Sequence, residues 1–189
     1  MPAVINRFTS LEPGVHVDVR AGRNHVLETE INAGRLDAAI AFFPPNSEGH
    51  GTLVTSLPML WLAGDCWPAA GPRSPLPLVL NDHPCLFRQA GLHALEHRKI
   101  PWRLALTTPS LPGVWASLRA GIGVSVRTTH RIPDGIRSIG PETGLPPLPL
   151  IELRLLTAAR LSASGRALAE TLIEGAREGL QHGHGVHRP

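Results

Sequence analysis

Arg88 is the side chain best suited to recognise a charged ligand. It falls near the start of a predicted helix that follows a strand, on the side of the sheet where ligands bind. Its planar guanidinium could clamp a carboxylate, a contact worth ~1.5–3 kcal/mol. The same position also fits a solvated arginine or one that bridges two lobes. Thr107, Thr108 and Ser110 occupy the next strand-to-helix loop, where hydroxyls and free main-chain N–H groups suit an anion at a helix N-terminus. Ser110 would serve equally as a plain N-cap. The loop after Phe42, including Phe43, is expected to form the opposite wall of the site, although both phenylalanines also fit a core.

Other chemistry finds little footing. Cys66 and Cys85 are too few for a disulfide framework and lack a CxxC spacing, so they read as thiols in a reducing compartment. Gly121-Ile-Gly123 lies between a helix and a strand, the reverse of what a dinucleotide fingerprint needs. His182, His184 and His187 alternate in a tail with no carboxylate or cysteine nearby to complete a metal site. The sequence contains no Walker loop, no GxSxG and no HExxH. No cofactor, metal or catalytic residue is expected.

The elements that position these residues follow from hydrophobic periodicity. Val4, Ile5, Phe8 and Leu11 mark a first helix. The alternation from Val15 to Val19 predicts a strand, residues 25–33 a helix ending at Gly34, and Leu36 to Phe42 a buried strand. That order predicts a parallel βαβ unit. Strands are expected next at 53–63, interrupted by Pro58, and at 78–80, then a helix at 86–98 and a strand at 102–106. A helix capped by Ser110 runs to Gly121, and strands follow at 124–126, 136–139 and 150–156. An amphipathic helix covers 164–180, and the tail 181–189 is expected to be disordered. The fold class is therefore α/β with mainly parallel sheets, in two lobes: residues 1–56 with 148–180, and an inserted lobe at 57–147.

Composition narrows the function classes. The 189 residues are 42% hydrophobic and 17% charged, a globular balance. The net charge of +3 is spread thinly: Lys99 is the only lysine, and no basic helix face stands out. Direct nucleic-acid contact is thus not expected from this chain. Apolar runs are too short to span a bilayer and no signal peptide is visible, so no membrane partner and a cytoplasmic location are expected.

Several segments together resemble a known family. The run Glu12 to Val19 (EPGVHVDV), then Gly22, then Ala33 to Ile40 (AGRLDAAI) resembles the "yP.v.l.l..g....l...l..G.lDlai" pattern of the effector domain of LysR-type transcriptional regulators. Ala120 to Val124 (AGIGV) resembles that family's "aGlGia" segment, and Pro84 to Arg88 (PCLFR), with Trp102-Arg103 ahead of Ser110, is similar to one subgroup. Order and spacing match over residues 2–180. The resemblance implies a periplasmic-binding-protein-like architecture, incomplete at the N-terminus, with a small effector bound between two lobes. It also implies a homodimer or higher oligomer, in which the helix at 4–11 packs against a partner's helix after Ser110. In that family a strand, a linker helix and a DNA-binding winged helix-turn-helix precede this domain. Their absence here leads to the expectation of a truncated or mis-started reading frame. A stand-alone binding module or a non-functional remnant is the alternative function, and an enzyme is not expected.

Overall fold

The computed structural model describes residues 2–47, 49, 51–68, 74–130 and 132–181. Two compact units emerge, residues 1–56 with 151–189, and residues 57–150. The tail histidines His182, His184 and His187 lie outside the described residues, and with them all of the expected disordered tail beyond Gln181.

The first unit contains α1 (Pro2–Leu11), α2 (Asn24–Asn32), β1 (Ala38–Phe43), the opening of β2 (Thr52–Gly64), β7 (Leu150–Thr157) and α5 (Ala163–Gln181). β1 lies antiparallel to β7, from Ala38 opposite Thr157 to Phe43 opposite Glu152, and β7 in turn neighbours β2. Strand alternation sends β1 side chains to two faces. Ala39, Ala41 and Phe43 pack with Ile31 of α2, while Ile40 and Phe42 join the cluster around Leu153, Leu155, Ala169 and Leu172. A strand buried on both faces reads as a continuous apolar run, which is what residues 38–43 are.

The strand expected at Val15–Val19 does not form. The segment has no ladder partner, and Val19 is 60% exposed. A strand needs a neighbour's N–H and C=O groups, and alternation alone supplies only the facing of its side chains. The Asp37 carbonyl accepts from Ala158 N, so residues 37, 39, 41 and 43 turn their backbone groups toward β7. The Phe42 carbonyl points to the other edge, where the Asn24 side-chain amide donates to it. The parallel βαβ unit expected across residues 15–42 is accordingly replaced by antiparallel pairing with a strand more than a hundred residues away in sequence.

Within this sheet, Glu152 of β7 is 6% exposed. Its carboxylate accepts the Asn46 N–H at 3.0 Å and Arg154 Nε at 2.8 Å. The Asn46 N–H, and after it the Arg154 side chain, hold the carboxyl below its ordinary value. A carboxyl depressed on folding stabilises the folded state above the unfolded value of about 4.3 and loses that contribution as pH falls through the folded value. Glu152→Gln is therefore expected to be less stable at about pH 7, with a shallower stability loss below about pH 4. Urea midpoints at the two ends of that range check it; an unchanged acid-side slope would remove Glu152 from the explanation.

The second unit holds the rest of β2, then β3 (Leu76–Asn81), α3 (Leu86–His97), β4 (Trp102–Thr108), α4 (Leu111–Arg119), β5 (Ser125–Thr128) and β6 (Ile136–Ile139). β2 runs unbroken through Pro58. β3 and β4 are parallel, and a parallel bridge joins Leu78 to Val124 just before β5. β5 and β6 both pair antiparallel with β2. A parallel strand–helix–strand unit is present at β3–α3–β4; apart from it and the parallel Leu78–Val124 bridge, the β1–β7, β2–β5 and β2–β6 pairings are antiparallel. Leu62, Val79, Val114, Leu118 and Ile136 form the core between this sheet and α4. Two glycines allow the backbones to meet: a Cβ at Gly64 would sit 2.1 Å from the Leu118 oxygen, and one at Gly123 would sit 2.5 Å from the Pro77 oxygen. Gly121 closes α4 at φ +69°, the left-handed conformation a helix C-terminus favours.

Candidate functional site

Parallel strands end at the same edge, and the helices that follow them begin there. In the second unit β3 ends at Asn81 and β4 at Thr108, and α3 and α4 start at Leu86 and Leu111. The two strand ends are stitched together, because the Thr108 carbonyl accepts from Asn81 Nδ2 at 3.0 Å and from Asp82 N at 3.3 Å. Arg88, in the first turn of α3, donates from Nη1 to the Asn81 carbonyl at 3.2 Å, and its Nε is buried without a partner. Arg88 is therefore held at the strand edge with part of its donor capacity unused.

The next corner is built by hydroxyls. Thr108 Oγ1 accepts from Ser110 N at 3.3 Å, and Ser110 Oγ accepts from Gly113 N at 3.1 Å as the N-cap of α4. Gly113 is required by this crowding, since a Cβ there would lie 2.6 Å from Thr108 Oγ1 and 3.0 Å from Ser110 Oγ. Thr107 is exposed and Thr108 half-buried. Ser110→Ala is expected to cost about 1 kcal/mol of stability through the lost cap. A lowered urea midpoint with unchanged slope is the corresponding result, and an unaltered midpoint would mean the cap contributes nothing.

The structure brings Arg88, Thr107, Thr108 and Ser110 to one strand edge. Phe42 and Phe43 belong to the first unit, where Phe43, 5% exposed, is part of an apolar core cluster and Phe42 packs against another. One residue at the strand edge was not anticipated. Arg127 of β5 is buried, donates from Nη1 to the Val126 carbonyl at 3.2 Å, and places its guanidinium 5.0 Å from the centre of the Phe87 ring. Burial lowers its pKa, and the Cys85 side chain, within hydrogen-bonding reach, acts in the opposite direction. The available signal was its place in Val124-Ser-Val-Arg-Thr128, an alternating strand with apolar flanks, where an arginine is out of keeping with a solvated surface. Among the described residues no group of three or more His, Cys, Asp or Glu side chains is gathered as a metal ion would need.

The sequence model of one family, described as LysR substrate binding domain, matches residues 1–181. The chain belongs to that family. This LysR domain is 30% identical over 149 residues to the HTH-type transcriptional regulator PecT of Dickeya dadantii, covering 79% of this chain and 46% of that protein. It spans about half the length of the curated relatives it matches. Among solved structures it is similar to the C-terminal domain of a probable LysR family transcriptional regulator from Rhodococcus sp. RHA1, with a TM-score of 0.70, 20% identity, and 92% of this chain and 91% of that chain covered. It is also similar to the Synechocystis PCC6803 CcmR regulatory domain in complex with 2-PG, with a TM-score of 0.70, 16% identity, and 92% and 89% covered. These likenesses give the α/β fold of LysR effector-binding domains. Among the described residues no helix is long and apolar enough to cross a membrane.

Proposed function

We propose that this chain is the ligand-sensing part of a LysR-type regulator and binds a small anionic effector at the strand edge of its second unit. The observation that carries this is Arg88, anchored to the Asn81 carbonyl with its Nε buried and unused, beside the Thr108–Ser110 corner at the start of α4. A guanidinium and a helix N-terminus at one edge offer directional donors and positive potential together, the combination a carboxylate needs. A protein of similar fold, the CcmR regulatory domain, was solved in complex with 2-PG, which is in keeping with a small-molecule ligand. Binding would favour one conformation by its differential affinity and pass that preference to DNA through parts of the regulator other than this chain, in a homodimer or higher oligomer. No catalytic step is assigned to the site.

A thermal-shift screen of carboxylate metabolites tests the reading. A true effector at 100 times its Kd adds about 2.7 kcal/mol to stability, a readily measured rise in melting temperature. Rises that fail to saturate, or that persist undiminished in Arg88→Ala, would count against it.

A further inference from the structure

Arg127 carries a charge that the protein itself does not match. It is 8% exposed, its Nε is buried without a partner, and its described contacts are a main-chain carbonyl, the Cys85 side chain and the face of Phe87. Neither Arg127 nor Arg88 forms an ion pair with a carboxylate among the described residues. Two residues back on the same strand, Ser125 keeps its hydroxyl buried and also unpartnered. A buried cation without a counter-charge is strongly disfavoured unless an anion joins it.

The geometry places this cation against the beginning of α3. Cys85 is the N-cap of that helix and makes no side-chain cap hydrogen bond, Phe87 lies in the first turn, and Arg88 follows it. The parallel bridge between Leu78 and Val124 orients β5 with β3, so Arg127 approaches the same strand edge at which Arg88 is anchored. Two guanidinium groups and an uncapped helix N-terminus therefore converge on one short segment.

Building on the proposed effector site, we propose that Arg127 is its second cation and that the ligand is a dianion, a dicarboxylate of short chain length. Arg88 receives one carboxylate and Arg127 the other. A monoanion leaves Arg127 unmatched and binds more weakly.

The test uses the full chain, the C4 to C6 straight-chain dicarboxylates, and their monomethyl esters at equal ionic strength, with binding followed by calorimetry. At least one dicarboxylate is expected to bind ten-fold or more tightly than its monoester. In Arg127→Met that ratio falls to near one while the monoester's affinity is kept. Retention of the ratio in Arg127→Met, or no preference for any dicarboxylate in the parent chain, overturns the proposal. Arg88→Met separates the two readings: if it leaves both affinities unchanged, the effector site itself is misplaced and the assignment of Arg127 falls with it. Without ligand, Arg127→Met is expected to melt no lower than the parent chain. A lower melting temperature that Arg127→Lys restores would make the charge a structural prop and also overturn the proposal.

Discussion

Gly64→Ala is expected to destabilise the chain by about 3 kcal/mol. The added Cβ would sit 2.1 Å from the Leu118 carbonyl oxygen and 2.9 Å from its carbonyl carbon, so the obstacle is backbone and cannot rotate away. Nor can α4 retreat at low cost. Leu118 and Val114 are fully buried and interlock with Leu62 and Val79, themselves inaccessible to solvent. Interiors packed at crystal-like density transmit such a displacement instead of absorbing it. The same movement reaches Ser110 at the other end of α4, so ligand affinity should fall along with stability. Urea unfolding provides the check, with Gly14→Ala as control because nothing lies within 4 Å of its added methyl. Equal midpoints for the two variants would show that α4 moves aside easily and that the close approach at Gly64 is unimportant.

Arg88→Ala is expected to weaken binding of an anionic effector by about 10- to 100-fold, the range of ~1.5–3 kcal/mol carried by a charge-assisted hydrogen bond. Stability should change far less. Removing the side chain forfeits one hydrogen bond to the Asn81 carbonyl, but Asn81 and Thr108 remain joined by the Asn81 Nδ2 bond. Affinity and stability are thus separable at this position, unlike at Gly64. Calorimetric titration alongside thermal melting distinguishes the outcomes. A large drop in melting temperature with unaltered affinity would make Arg88 a brace for the strand end and not a ligand contact.

The parts of this protein most legible in its sequence are those decided locally. Ser110 stands at an N-cap because a hydroxyl there accepts the Gly113 N–H, a contact made within four residues. Gly34 adopts φ +68° after α2 for an equally local reason. The β3–α3–β4 crossing was legible too, since its two strands bracket one helix and pair with each other. Pairing at long range was not. The alternation at Val15–Val19 and the apolar run at Ala38–Phe43 look equally strand-like, but only the second meets a partner, at residues 152–157. Nothing in a two-residue period states which strand will supply the hydrogen bonds.

The candidate site shows the same division. Arg88, Thr108 and Ser110 could be named because strand-to-helix loops are where α/β sheets present ligands. Arg127 escaped notice because it comes from within a strand, and its lack of a carboxylate partner is visible only once the fold has placed its neighbours. Phe42 and Phe43 show the converse: an apolar pair at a strand end suits a ligand wall or a core equally well, and packing of the first unit puts Phe43 in a core cluster.

The most direct measurement is amide chemical-shift mapping of the chain during titration with the carboxylate that raises its melting temperature most. Saturable shifts concentrated at Asn81, Arg88 and Thr108 to Gly113 are the expected result. Shifts confined elsewhere, for instance to the first-unit groove lined by Val15 to Asp18 and Leu36 to Ala38, would place the ligand away from the strand edge and contradict the proposed site.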